Sequence, residues 1–206
     1  MSSRIHNAEL AAKVMDADSA AAMIDHDANI GFSGFTGSGY PKALPMALAR
    51  RIQAAHEAGQ EFKVGVWTGA STAPDLDGVL ADVDGVKFRT PYQSDPSMRR
   101  AINAGVTRYA DIHLSHLAQQ VAAGFLGNLD FAVVEATAIT ESGELVPSSS
   151  LGNNRTFLEI ADKIIIEVNS WQSADLFGMH DIYYGPIRRL PPHRLPFPII
   201  HAGDRI

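Results

Sequence analysis

Several groups of residues in this sequence have types and spacings that can support chemistry. The first is a glycine-rich run in which Gly31, Gly34, Gly37 and Gly39 free the backbone for left-handed angles and close ligand approach. A helix N-terminus beyond it can receive an anion. The run lacks the Gly-Lys-Ser/Thr of a Walker A loop and the G-x-G-x-x-G spacing of a dinucleotide fingerprint. It reads equally well as a tight strand-to-helix turn. The second group is Gly69-Ala70-Ser71-Thr72-Ala73, one residue away from a G-x-S-x-G nucleophile elbow. A serine nucleophile needs a histidine base and an acid to orient it. His180 or His201 can serve as base, with Asp175, Asp181 or Asp204 as orienter, but their spacing selects none of them. The competing reading of Ser71 is a polar loop capping a helix.

Two carboxylates follow apolar runs, Glu135 after Ala132-Val133-Val134 and Glu167 after Ile164-Ile165-Ile166. Either can be a base or nucleophile if its environment is tuned, or a buried acceptor holding a loop. The second is the reading the pattern favours. His113 and His116 share one helical face without a third ligand or an H-E-x-x-H pattern, so no metal is expected. Arg99-Arg100 and Arg188-Arg189 are too short for a nucleic-acid patch but can meet an anionic ligand.

The elements that must position these groups follow from an α/β pattern. The 206 residues suit one large domain, and 46% apolar content with 19% charge is globular in composition. A net charge of -6 argues against a general nucleic-acid binder. With no cysteine, a disulfide framework, zinc-thiolate sites and cysteine nucleophiles are excluded, and a cytoplasmic location is expected. No apolar run reaches the roughly 20 residues that span a bilayer, so no membrane partner is expected. Strands are predicted at 28–32, 62–67, 86–89, 129–134 and 163–168. Helices are predicted at 18–24, from Pro41 to Gly59, at 74–82, 96–104, 114–123 and 153–161, and a hairpin turns at 141–143. This is a mostly parallel sheet flanked by helices. The loops at 33–41, 68–74 and 90–96 then lie at one rim, outside the carboxyl ends of the strands, where such sheets bind ligands. Residues 1–185 are expected to form the domain. The proline-stiffened stretch 186–206 is expected to be an extended interdomain crossover, cut short.

The segment Gly34-Phe35-Thr36-Gly37-Ser38-Gly39-Tyr40-Pro41 fits the G-F-x-x-x-G-x-P glycine motif of CoA-transferases. Residues 68–74, 133–140, 146–152 and 164–171 resemble, in order, the acetyl-CoA hydrolase/transferase family, its succinyl-CoA:acetate CoA-transferase-like branch included. The resemblance implies an enzyme with coenzyme A as a substrate, which exchanges CoA between small carboxylic acids or hydrolyses the thioester. In that family a glutamate attacks the acyl-CoA and becomes a glutamyl-CoA thioester. Family members are longer chains of two similar α/β halves, and the nucleophile belongs to the second half. By the resemblance this chain is the first half only and holds no catalytic residue. Its partner is a second α/β half or a partner chain, within a homo-oligomer. Gly37, Gly39, Tyr40, Ser71 and Ser94 are implied to line the small acyl or carboxylate site.

Overall fold

The computed structural model describes residues 4–180 and Ile182. The expected crossover at 186–206 lies outside these residues, as do His201, Asp181 and Asp204.

In chain order the elements are α1 (Ala8–Ala11), α2 (Ala17–Ala22), β1 (Asn29–Phe32), α3 (Ala43–Glu57), β2 (Val64–Trp67), α4 (Val79–Asp82), β3 (Val86–Thr90) and α5 (Pro96–Asn103). Then come β4 (Arg108–Tyr109), α6 (Leu114–Ala122), β5 (Phe131–Ile139), β6 (Leu145–Pro147), α7 (Asn154–Ile160) and β7 (Lys163–Val168). A π turn, Pro74–Gly78, leads into α4, and a 3-10 turn, Ala174–Leu176, follows β7.

The strands form one sheet in the order β4-β3-β2-β1-β5-β6, with β7 also on β5. Every pairing is parallel except that of β5 with β6. The α/β class with its small hairpin is therefore as the sequence predicts. β5 is the hub. Its first half lies between β1 and β7, and its second half runs on to pair with β6. Sequence patterning ends this strand at Val134. The extension to Ile139 comes from ladder partners, because Glu135, Ala136 and Thr137 do not read as a strand alone.

Alternation of side chains across the sheet builds two cores. Ile30, Phe32, Val64, Val66, Phe131 and Val133 pack on one face against α2, α3 and α4. Trp67 and Ala132 face the other way, with Leu117, Val121 and Phe157 of α6 and α7. Helix α3 sits on the first core because Leu44, Ala47, Leu48 and Ile52 recur at helical spacing and are all buried.

The start of α3 has an unusual cap. Lys42 occupies the N-cap position and supplies no side-chain bond. The carboxylate of Glu167, on β7, instead accepts the N–H groups of Lys42 at 2.7 Å, Ala43 at 3.1 Å and Leu44 at 3.0 Å. These are donors that a helix leaves unsatisfied, and a negative charge there also complements the helix dipole. Glu167 is thus a loop-holding acceptor. Replacing it (Glu167→Ala) should destabilise the domain by about 0.5–2 kcal/mol, the usual cost of losing an N-cap. Urea unfolding measures this, and an unchanged midpoint would mean that water serves these donors equally well.

Candidate functional site

Three loops leave the carboxyl ends of β1, β2 and β3, at residues 33–42, 68–73 and 91–95. A fourth, 148–153, returns from the β5–β6 hairpin to α7 and lies against the first two. Their contact is backbone to backbone. A Cβ on Gly69 would lie 2.6 Å from the Gly152 Cα and 2.8 Å from the Gly34 carbonyl oxygen. No larger residue fits without moving a main chain. Gly39, at φ +66°, likewise has Ser150 where a Cβ would be, 2.5 Å from its Oγ. Ser38 adds side-chain ties, its Oγ 2.8 Å from the Ser149 Oγ and its carbonyl accepting from the Ser150 Oγ at 2.6 Å.

The Ser71 loop is gripped from beneath. Arg89 and Asp77 are both fully buried and form a bidentate pair, Nε to Oδ1 at 2.7 Å and Nη2 to Oδ2 at 3.1 Å. The same Nη2 donates to the Ala70 carbonyl at 3.1 Å, and Nη1 donates to the Thr90 carbonyl. Asp77 Oδ2 accepts from the Thr72 backbone N–H at 3.0 Å and its hydroxyl at 2.7 Å. Ala70 and Thr72, on either side of Ser71, are therefore both tied to one ion pair. Burial pushes the Asp77 carboxyl up, but the Arg89 charge and the hydrogen bonds from Arg89 and Thr72 outweigh it and hold it below the ordinary 3.8.

Ser71 is only 2% exposed. Its Oγ accepts the Ser94 backbone N–H at 2.9 Å and lies 2.8 Å from the Ser94 Oγ. Ser94 is exposed. When Ser71 donates its proton to the Ser94 Oγ, the Ser94 O–H is left free to point outward. Ser94 is thus the solvent-facing member of the pair and Ser71 its support.

Tyr40 spans two loops. Its hydroxyl donates to Asp75 Oδ2 at 3.1 Å, and its pKa is pushed up to about 12, first by burial, then by the Asp75 bond and charge and by the Glu135 charge. Tyr40 therefore stays a donor at any ordinary pH. Gly39 sits beneath Ser150, whereas Gly37, at φ +79°, has open space where a Cβ would be. The five implied site residues thus lie on neighbouring loops of one rim, with Ser71 and Ser94 in direct contact.

The geometry a serine hydrolase needs is not made among the described residues. Ser71 is bonded to Ser94, and His180 is bonded through Nε2 to the Ser148 carbonyl. His113 shares a hydrogen bond with the Ser115 hydroxyl at 2.8 Å, and among the described residues no three metal-ligating side chains converge. Glu135 is fully buried, and its Oε2 accepts from Lys42 Nζ at 2.6 Å and Asn169 Nδ2 at 3.1 Å. Sequence reasoning missed Lys42, Asp75, Asp77 and Arg89. Arg89 carries a faint signal, a cation near the end of a buried strand, but Lys87, two residues before it, is a surface partner of Asp27, so the pattern alone cannot separate them.

A depressed folded-state pKa makes Asp77 stabilising above 3.8, and that contribution is lost as pH falls below 3.8 through the lower folded value. Stability measured by urea unfolding between pH 5 and 3 should therefore fall less steeply in Asp77→Asn than in the parent. At neutral pH Asp77→Ala should cost about 3–5 kcal/mol, since it leaves Arg89 buried and unpaired.

Known proteins agree with this architecture. Residues 1–188 match the acetyl-CoA hydrolase/transferase N-terminal domain. The succinyl-CoA:acetate CoA-transferase of Clostridium kluyveri is 47% identical over 98% of this chain and 37% of its own length. The acetyl-CoA hydrolase of Schizosaccharomyces pombe is 38% identical over 100% of this chain and 40% of its own. The chain thus spans well under half the length of these relatives. Among solved structures, the glutaconate coenzyme A-transferase of Acidaminococcus fermentans shares the fold, with a TM-score of 0.56 at 14% identity over 80% of this chain and 68% of that one. Together with the rim geometry, these matches establish that the chain belongs to the acetyl-CoA hydrolase/transferase family, over that family's N-terminal domain.

Proposed function

We propose that these residues form one wall of the active site of an enzyme that moves CoA between small carboxylic acids or hydrolyses acyl-CoA. The observation that carries this reading is the Ser71–Ser94 pair, which presents a supported hydroxyl at the rim beside the glycine loop. A small carboxylate needs hydrogen-bond donors there, and charge-assisted bonds are the strong ones. Ser94 donates to the carboxylate and Ser71 holds Ser94. Backbone N–H groups of the glycine loop, and Tyr40 through its bond to Asp75, shape the same wall.

The nucleophilic glutamate of the reading lies outside this chain, in a second α/β half or a partner chain. Glu167 is occupied as the acceptor for the start of α3, and Glu135 has its Oε2 taken up by Lys42 and Asn169 while its Oε1 is buried without a partner among the described residues. A glutamate is a poor nucleophile in water. Closure of the second half over this rim excludes water and lets the binding of the CoA moiety be used at the reacting carbonyl. The complete enzyme is read as a cytoplasmic homo-oligomer. No helix among the described residues is long and apolar enough to cross a membrane.

Two measurements test the reading. Residues 1–206 alone should give no CoA transfer from acetyl-CoA to succinate, and turnover above blank would return the nucleophile's role to this chain. In the full-length protein Ser94→Ala should lower kcat/KM for the carboxylate about ten- to a hundredfold, the worth of one charged hydrogen bond of about 1.5–3 kcal/mol. The KM for the CoA thioester should stay unchanged. Equal losses for both substrates would remove Ser94 from the carboxylate site.

A further inference from the structure

Glu135 lies on the central strand, buried and far in sequence from the glycine loop, yet two separate relays join it to that loop. Its backbone N–H donates to the Ser33 Oγ at 2.9 Å, and the Ser33 hydroxyl donates to the Gly39 carbonyl at 2.8 Å. Its carboxylate accepts from Lys42 Nζ at 2.6 Å, and the same ammonium donates to the Tyr40 carbonyl at 2.7 Å. Two consecutive carbonyls of the loop are therefore referred to one residue of β5. The Lys42 ammonium also stands 4.2 Å from the centre of the Tyr40 ring, within reach of a cation–π attraction.

The remaining contacts make Lys42 a fixed point rather than a loose surface lysine. Its backbone N–H is held by Glu167, and Asn169 holds the Glu135 oxygen from the other side. Its side chain is 40% exposed while that of Glu135 is 0% exposed. Buried ion pairs contribute little net stability, because desolvation offsets the attraction. A pair that also grips a loop carbonyl has a second use, which is to set where the loop sits. Tyr40 passes that position on, since its hydroxyl bonds Asp75 in the π turn directly after the Ser71 loop.

We propose that Lys42, anchored by Glu135, is a positioning residue of the active site. It fixes the glycine loop and, through Tyr40 and Asp75, the spacing between that loop and the Ser71–Ser94 pair. The proposal rests on the CoA-transfer reading for its kinetic consequence but not for the loop geometry.

The test uses the full-length protein and three variants. Lys42→Met keeps the aliphatic stem and removes the ammonium. Lys42→Met/Glu135→Gln removes both charges, so that no unpaired buried carboxylate threatens the fold. The double variant should melt as the parent does, yet its kcat should fall about ten- to a hundredfold, the cost of a misplaced wall. The KM for the acyl-CoA should be unchanged, and Lys42→Arg, which keeps a cation in reach of both acceptors, should recover most of the loss. A readout independent of activity is amide exchange at Phe35 and Ser38, whose N–H groups bond across the loop. Their protection should drop in the double variant while that of β5 holds. Parental kcat in a folded double variant, or parental exchange at both amides, overturns the proposal. Absence of any CoA transfer or hydrolysis in the parent would instead overturn the functional reading, and the exchange result would still decide whether Lys42 holds the loop.

Discussion

Asp77 and Arg89 are each tolerable in the interior only because of the other. An isolated buried charge costs several kcal/mol, and the attraction of a partner compensates only when the remaining donors and acceptors are satisfied as well. Here the extra bonds go to Ala70, Thr72 and Thr90. Satisfying the ion pair and shaping the Ser71 loop are therefore the same requirement. The loop cannot relax without stranding a charge, and the charge pair cannot shift without losing the loop's Ala70 carbonyl and Thr72 donors. The position of the Ser71–Ser94 hydroxyls follows from that mutual dependence.

The neighbouring loops are set by different physics. Gly34, Gly69 and Gly152 bring three main chains into contact, so steric exclusion fixes their spacing. The far end of the glycine loop is held electrostatically, by Lys42 against Glu135 and by Tyr40 against Asp75. The rim thus combines a hard contact at one end with polar ties at the other. An active-site wall of the kind proposed needs such over-determination, because the reacting groups must be held before the substrate arrives rather than ordered by it.

What the sequence revealed and what it hid divide along the same line. Strand β7, the hairpin turn and helices α5 and α6 were legible, because apolar runs, helical spacing, Pro96 and the Glu141-Ser142-Gly143 turn are local signals. Strand β4 was not, since two residues carry no periodicity and Arg108–Tyr109 is a strand only because β3 lies beside it. Helix α2, predicted from residue 18, starts at Ala17 with Asp16 as its cap, a choice among adjacent capping residues that composition cannot make. The π turn at Pro74–Gly78 reads as ordinary helix until Asp77 is seen bonded to Thr72 and Arg89. In the candidate site, Ser71 is legible as a polar loop residue and through the motif at 68–74, and Ser94 only through what the resemblance implies. Lys42, Asp77 and Arg89 are not, because their roles exist only once distant strands are adjacent.

The cap on α3 carries one more implication. Glu167 reaches the Lys42 amide across 125 positions of sequence, and Glu135 reaches the Lys42 ammonium across 93. A chain emerging from the ribosome presents the glycine loop long before either carboxylate exists. Until then the start of α3 has only water for its free donors, and contacts of such span are the late and slow ones in folding. The loop therefore acquires its working shape only as β5 and β7 complete the sheet.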